Sequence, residues 1–567
     1  MSFAAELKRR HVARVAFAYV VAGWLFIEVS STVLPALGSP AWVVPIVVAL
    51  VLLGFPVALV LAWAFDVTPE GIRRAPGRTA HPAQLREPAG ASRAAVEPDK
   101  SIAVLPFINM SDDRDNEYFS DGMTEEILNA LVKVRELRVA SRTSAFAFKG
   151  KDLDIREIGE RLGVATVLEG SVRKAASRIR VTAQLIDIEN GYHLWSETYD
   201  RELEDVFAIQ DEIARAIVGA LKVRLMGDAE QPLIAPSTDS LEAYKLYLQG
   251  RFYMNKSTEA DLRRGVALYE QALSVDPHYA RAYAGIADSW MFLADDWIAP
   301  GVGYPNAKQA ALKALEMDPS LAEAHTELGK VLGWFEWNFD AGELALRRAV
   351  AANPQYADAH WALGSMLPPT GRVEESVEEA RTALRLDPLS PTFSRWLARF
   401  LRFARRYEEA LDQARETLEL DPGHHHAWLE LGHVYIARAE GAKALEAFRR
   451  GAAGGEIAFF NAHVARALAA IGEVDEARAT LERLAAAFAE SYVRPEAIAA
   501  GWGALGELDE AFDWLDKALD ARSAGLIYLK VDSAYDPLRD DPRFGALLAR
   551  IGLRPVPLAI PAGHQGA

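Results

Sequence analysis

The stretch YADAHWALGSM (Tyr356–Met366), followed by SVEEARTALRLDP (Ser376–Pro388), decides the fold. Its two halves are helical in composition, and a proline that cannot continue a helix closes the second half. The same ending recurs along the chain at Pro277, Pro319, Pro354, Pro388 and Pro422, each preceded by Asp or Asn, at intervals of 42, 35, 34 and 34. Asp or Asn before Pro suits a turn. The segments that end there read ALYEQALSVDP, ALKALEMDP, LALRRAVAANP, SVEEARTALRLDP and ALDQARETLELDP. The segments that follow keep a small residue in register: Gly329, Gly364 and Gly432, the last two 68 apart. Large side chains such as Trp361 and Trp428 stand beside these glycines and fill the space a small residue leaves.

A 34-residue period with a terminal proline resembles the tetratricopeptide repeat. Each helix pair is too small to bury its own apolar face, so the resemblance implies a stacked α-solenoid, a right-handed superhelix with a concave groove. The array is expected over 238–553, with seven or eight helix pairs. GEVDEARATLERL and GELDEAFDWLDKAL (from Gly472 and Gly506) supply two late second helices, and YDPLRDDPRFGALLARIGL (from Tyr535) a terminal cap. The 42-residue interval implies an insertion near Asp295–Tyr304, which projects as a loop or lengthens a helix pair. Residues 554–567 read as a disordered tail. Repeat grooves take extended peptides or helices of partner proteins. Arg395, Arg399 and Arg402 follow an i, i+4, i+7 spacing that puts them on one helix face. On an inner face they are candidate partner-binding residues for carboxylates, and on an outer face they are ordinary solvated charges. His424, His425 and His426 project about 100° apart on a helix, so they read as helix-start residues rather than a metal site.

The chain has 567 residues and a formal charge of −17. That balance argues against a nucleic-acid partner, which calls for a basic face. With no cysteine, disulfides and thiolate chemistry are excluded. Two apolar runs lie near the start, at 15–37 with a single charge at Glu28, and at 41–65 with none. Twenty-five helical residues reach roughly 37 Å, beyond a hydrocarbon core of about 30 Å. Lys8, Arg9, Arg10 and Arg14 precede the pair, and Arg73, Arg74 and Arg78 follow it. The expectation is a two-helix transmembrane hairpin in a bacterial inner (plasma) membrane, multi-pass, with lipid as a partner. A basic segment, 1–14, and the soluble remainder are expected on the cytoplasmic side, or the remainder in the periplasm if the run holding Glu28 fails to span. The stretch 66–99, rich in Pro, Gly and Ala, reads as a flexible linker.

Between linker and repeats, 100–228 alternates strand and helix patterns. IAVLPF (Ile102–Phe107) is a buried strand, and a helix follows that Asp121 or Thr124 can cap. LRVASR (Leu137–Arg142) is a second strand, and IREIGERLG (Ile155–Gly163) an amphipathic helix. TVLEGSVRKA and RIRVTAQLID form a strand pair, HLWSETYDRE a further strand, and a helix from Val206 closes a small mixed α/β domain. The acidic loop Asp112, Asp113, Asp115, Glu117 and Asp121 lacks EF-hand spacing, and no phosphate-loop or nucleophile-elbow motif is present. No catalytic, metal or cofactor site is therefore assigned. The domain resembles the amino-terminal domain of TolB and FlgO-like domains in IAVLPF, YFSDGMTEEI, SRTS (Ser141–Ser144), VLEGSVRK, RVTAQLID and HLWSETYDRE. The resemblance implies fusion to membrane segments and tetratricopeptide repeats, often with a nucleotide cyclase or a winged-helix domain, neither of which is recognised in this chain. The chain as a whole reads as mainly α, and as a non-catalytic membrane-tethered scaffold in bacterial signalling or envelope assembly. The alternatives are an adenylate-cyclase-associated signalling protein and a small-molecule sensor.

Overall fold

Two helices approach closely only where one offers a small side chain, and this rule sets the spacing of the array. The computed structural model describes residues 45, 51, 65–68, 71–74, 100–221 and 237–553, except 112, 114–115, 135, 152, 257, 454–456 and 489–492. The chain divides into two units, Met1–Ala95 and Val96–Ala567.

In the first unit, β1 (Phe65–Thr68) pairs antiparallel with β2 (Gly71–Arg74). This corrects the sequence reading. No helix among the described residues is long and apolar enough to cross a membrane. The runs 15–37 and 41–65 lie outside the described residues save Pro45, Val51 and Phe65, and Phe65 opens a strand where the second span was expected to end. The transmembrane hairpin, the lipid contact and the multi-pass inner-membrane placement are accordingly set aside. Apolar length permits a span but does not compel one, and FDVT pairs with GIRR through backbone hydrogen bonds that a helix would not leave available.

The second unit begins with a mixed sheet of β3 (Ser101–Val104), β4 (Ile108–Asn109), β5 (Arg138–Val139), β6 (Thr166–Ala175), β7 (Arg178–Asp187) and β8 (His193–Glu202). The order is β5-β3-β6-β7-β8, with β4 also on β6. β3 is parallel to β5 and β6, while β6, β7 and β8 form an antiparallel meander. Its helices are α1 (Glu117–Val132), α2 (Arg142–Phe146), α3 (Ile155–Leu162) and α4 (Val206–Ala220). α1 and α4 cover one face and α3 the other. Two local readings differ from the sequence expectation. α1 starts at Glu117, so Thr124 is internal and accepts the Phe107 amide at 2.9 Å instead of capping. The expected second strand is cut to two residues, because Ser141 caps α2 by accepting the Ser144 amide.

Eight helix pairs follow among the described residues. They are α5 (Leu241–Met254) with α6 (Glu259–Val275), α7 (Ala280–Asp296) with α8 (Pro300–Met317), α9 (Ala322–Lys330) with α10 (Phe339–Ala352), and α11 (Ala357–Met366) with α12 (Val373–Leu386). Then come α13 (Pro391–Phe403) with α14 (Tyr407–Leu420), α15 (His425–Ala437) with α16 (Gly441–Ala452), α17 (Ile457–Ala470) with α18 (Val474–Ala487), and α19 (Pro495–Ala504) with α20 (Leu508–Asp520). Two 3-10 turns, Ala524–Tyr528 and Ser533–Leu538, lead to α21 (Pro542–Arg550). The inserted residues lengthen α7 and α8 to 17 and 18 residues. The α/β layer and the first pairs share one core, in which Ile127, Leu131 and Ile213 meet Tyr244, Leu248, Tyr269 and Tyr279.

Gly432 marks a close crossing within the sixth pair, between α15 and α16: a methyl group there would overlap the buried Phe448 ring. Gly432→Ala is expected to cost about 1–3 kcal/mol in thermal or urea unfolding, the usual range for overpacking. Gly545→Ala, on α21 with open space around it, is expected to be neutral or stabilising.

Candidate functional site

The first helix of each pair, here the A helix, forms the inner wall. Most successive A helices pack on one another, while successive second helices are held apart. The superhelix therefore curves around the A helices, and the A-helix starts line one edge of its groove. Two segments of the chain itself occupy this surface.

The first is the α/β domain, which lies along the A helices of the early repeats, at the end of α5 and at the starts of α7, α11 and α13. The Glu125 carboxylate of α1 is held between Arg251 of α5 and Arg142 of α2. Burial pushes Glu125 up, but the two guanidinium charges outweigh it and leave it below the usual carboxylate range. Glu126 accepts both oxygens' bonds from Arg281 of α7 at 2.8 Å. Further along the same edge, Gln355 donates to the Val132 and Leu137 carbonyls at 3.1 and 3.2 Å and accepts from the Val139 amide. Ser144 donates to Asp387 and accepts the Leu389 amide at 2.9 Å. Contacts to the first, second, fourth and fifth pairs thus bind the domain to the array, and those through Gln355 and Asp387 stand beside the inter-repeat prolines Pro354 and Pro388. Glu117 and Asp121 of the acidic loop both pair with Lys149 at 2.7 Å. Asp112 and Asp115 lie outside the described residues, and no metal-holding group of side chains is found among those described.

The second segment is the stretch after α20, which crosses the inner wall. Arg522 donates to the Phe335 carbonyl at 2.8 Å, and Tyr528 to the Ser365 carbonyl at 3.2 Å. Tyr528 also packs on Trp396 and Phe403 of α13. Asp532 accepts from Arg402 at 2.8 Å, and Arg402, 2% exposed, donates its Nε to Glu430 at 2.9 Å. Arg399 Nε donates to the other Glu430 oxygen at 2.6 Å. Burial opposes the charge on both Asp532 and Glu430, and the Arg402 and Arg399 charges keep them ionised.

The three arginines expected on one face therefore have different environments. Arg402 and Arg399 are committed to Glu430 and Asp532. Arg395 stacks with Arg399 against the Trp396 ring, at 4.4 and 4.6 Å from its centroid, and its Nε is enclosed with no hydrogen-bond partner. Burial, with Arg399 and Arg494 beside it, lowers Arg395 to about 9. Sequence reasoning missed Glu430, although a signal was present: it stands one 34-residue period after Trp396, a carboxylate where the previous repeat is aromatic. Asp532 gave no signal, because its partner is 130 residues away. His424, His425 and His426 sit at the start of α15, with rings 4.4 Å apart for the last two. Burial and Arg395 lower His424 to about 4.

A third feature lies in the inner wall between the two occupied regions. Asp288, Glu327 and Asp358 lie near Lys330, whose Nζ is 2.7 Å from Glu327, and Arg251, paired with Glu125, acts on Asp288 and Asp358 as well. These cations do not offset the water that the three carboxylates lose on burial. Burial raises Glu327 to about 8 and Asp358 to about 6, and also raises Asp288.

Comparison with known proteins fits this geometry. A tetratricopeptide-repeat family model matches 338–391, 370–412 and 397–457. The array carries tetratricopeptide repeats. A second model, the HilA/YgeH-like transcriptional regulator second domain, matches 98–216, the α/β domain. The chain is 41% identical over 245 residues to a protein named putative adenylate cyclase 3 from Rhizobium meliloti, covering 41% of this chain and 40% of that one. It is 24% identical over 238 residues to the transcriptional regulator HilA of Salmonella typhimurium, covering 41% and 42%. The chain thus spans about two fifths of the length of these relatives. Among solved structures, Pseudomonas aeruginosa PilF (22% identity, 38% of this chain and 94% of that one, TM-score 0.31) and TTC0263, a tetratricopeptide-repeat protein of Thermus thermophilus (18%, 34% and 99%, 0.30), are similar.

Two outcomes test this description. Glu125→Ala leaves Arg142 and Arg251 without their acid and is expected to destabilise the protein by about 3–5 kcal/mol, with faster amide exchange in α1. For the Asp288, Glu327 and Asp358 cluster, the folded chain keeps a proton that the unfolded chain releases above the ordinary Glu value of 4.5. Stability is then expected to fall as pH rises from 4.5 towards 8, and Glu327→Gln should flatten that slope in thermal melts.

Proposed function

We propose that this protein is a non-catalytic adaptor whose tetratricopeptide array recruits partner proteins along the A-helix edge of its groove. One observation carries the reading: the array already holds a protein element on that edge, the α1 helix, by pairing Glu125 and Glu126 with Arg251 and Arg281. An edge that grips a helix of its own chain is chemically equipped to grip one of another chain. The α/β domain, TolB-like in its motifs, acts in this reading as a docked module that sets the curvature and limits the open length of the groove. Arg395 is the contact residue of the expected trio, and Arg399 and Arg402 are the residues that hold Glu430 in place beneath it. Bacterial signalling or envelope assembly is the proposed setting.

A second reading rests on the 41% identity to the protein named putative adenylate cyclase 3. The likeness covers 40% of that protein, so cyclase chemistry is tested directly rather than transferred. Purified full-length chain is expected to form no cyclic AMP from ATP, and formation of cyclic AMP would replace the adaptor reading. The adaptor itself is tested by photo-crosslinking in cells, with a photoreactive residue at Phe459 on the groove edge or at Leu344, 54% exposed on the second helix of its pair. Partner adducts are expected from position 459 and not from 344. Equal labelling at both, or none at 459, rejects groove recruitment.

A further inference from the structure

The second helices of successive pairs are held apart on the outer side of the array, and charged side chains bridge the space between them. Between the third and fourth pairs, Arg347 of α10 meets Glu375 of α12 at 2.8 Å. Between the fourth and fifth, Arg381 of α12 meets Glu409 of α14 at 3.2 Å. Each arginine stands seven residues before an inter-repeat proline, and each glutamate thirteen before the next. Between the second and third pairs the same two positions hold Leu312 and Ala341. Leu344 likewise stands where the two following pairs have Glu378 and Asp412. All three of these aliphatic residues face one groove, with Leu315 of α8, Leu328 of α9 and Leu332 just after it. Its volume of about 590 Å³ is within the range of clefts that take a ligand-sized group. Leu312 is 43% exposed and Leu344 54%. The groove is apolar by departure from the pattern of its neighbours, and such a surface calls for a cover.

We propose that this groove seats the chain's own segment after α21, with Val556, Leu558 and Ile560 of VPLAIP (Val556–Pro561) turned into it. The described residues end at Leu553, and the path to the groove from there is short. A methyl group on Gly552 would stand 3.5 Å from the Trp337 carbonyl oxygen. The next residue, Asn338, donates its amide to the Leu332 carbonyl at 2.8 Å and accepts the Ala341 amide on its side chain at 3.3 Å. Leu332 and Ala341 both line the groove, so the segment starts at its mouth. Along α10 the groove runs to Arg348, ten residues past Asn338, which is roughly 15 Å of helix. Ile560 is seven residues past Leu553, and an extended chain covers roughly 23 Å in that number. Pro555, Pro557 and Pro561 drive the residues before them, Arg554, Val556 and Ile560, to extended backbone. In an extended chain Val556, Leu558 and Ile560 share one side and Pro557 and Ala559 the other. The inference concerns the outer side of the array and does not rest on recruitment along the A-helix edge.

The chain has no cysteine, so introduced thiols are the only ones present in the test. The full-length double variant Leu344→Cys with Leu558→Cys is oxidised mildly at low concentration and its mass is read under denaturing conditions. It is expected to form a disulfide within one chain, which requires the two backbones to come within about 7 Å. Leu344→Cys with Ala559→Cys keeps the same tether but turns the second thiol away, and is expected to crosslink poorly. A second measurement follows maleimide labelling of Leu344→Cys alone. Adding Leu558→Asp is expected to speed that labelling by about tenfold, the scale of burying one aliphatic side chain. Both substituted positions lie outside the core, and thermal midpoints confirm that each variant is folded. Equal disulfide yields from positions 558 and 559 mean proximity without a seat and overturn the proposal. An absence of disulfide from 558 overturns it as well. Covalent dimers assign the groove to the segment of a second copy and overturn the seat within one chain. Labelling that is slow with and without Leu558→Asp assigns the groove to another occupant, and labelling that is fast in both leaves it open; either result overturns the proposal.

Discussion

The seating of Glu125 between Arg142 and Arg251 is the constraint on which the rest of the second unit depends. A carboxylate at the core boundary is tolerated only when charge and hydrogen bonds replace the water it has lost. Here the replacement comes from both sides of a domain boundary, one arginine from the α/β domain and one from the first repeat. The pair of contacts therefore fixes the domain on the array and not merely a side chain in a pocket. Around it the apolar core is continuous, from the sheet through α1 and α4 to Tyr244, Tyr269 and Tyr279. Gly122 lets Leu248 of α5 pack directly against the α1 backbone. The two folds thus form one packed body rather than beads on a linker.

A repeat array normally offers its whole inner surface to partners, because every repeat is built alike. This chain breaks that equivalence from both ends. The α/β domain takes the early edge, and the stretch 522–538 takes much of the inner wall through Tyr528, Asp532 and Tyr535. What remains is the late edge, at the starts of α13, α15, α17 and α19. Function in such an array is a matter of which repeats the chain leaves uncovered, so composition of the repeats alone does not locate it.

Much of this was legible in the sequence. The 34-residue spacing of Pro354, Pro388 and Pro422 marks the pairs because a proline must end each second helix, wherever the helix goes afterwards. The strands of the α/β domain were legible from alternation in TVLEGSVRKA and RIRVTAQLID, which pair residue by residue from Thr166 with Asp187 to Ala175 with Arg178. The start of α1 was misplaced because Asp121 and Thr124 are good capping residues by type, while in the fold one serves Lys149 and the other Phe107. The N-terminal apolar runs misled for a related reason. Length and hydropathy describe what a segment tolerates, and Phe65–Thr68 found a strand partner three residues away.

Arg395, Arg399 and Arg402 draw the dividing line most clearly. Helical spacing alone determined that the three share a face, since side chains four and seven residues apart must do so. Spacing carried no information on what stands opposite that face. Only the tertiary structure brought Glu430 and Asp532, 28 and 130 residues away from Arg402, to the same place. Only that assembly left Arg395 stacked on Trp396 with its Nε unbonded. Periodicity is a local property written in neighbouring residues, whereas charge balance at a site is the sum over segments that the chain entropy keeps apart until the fold closes.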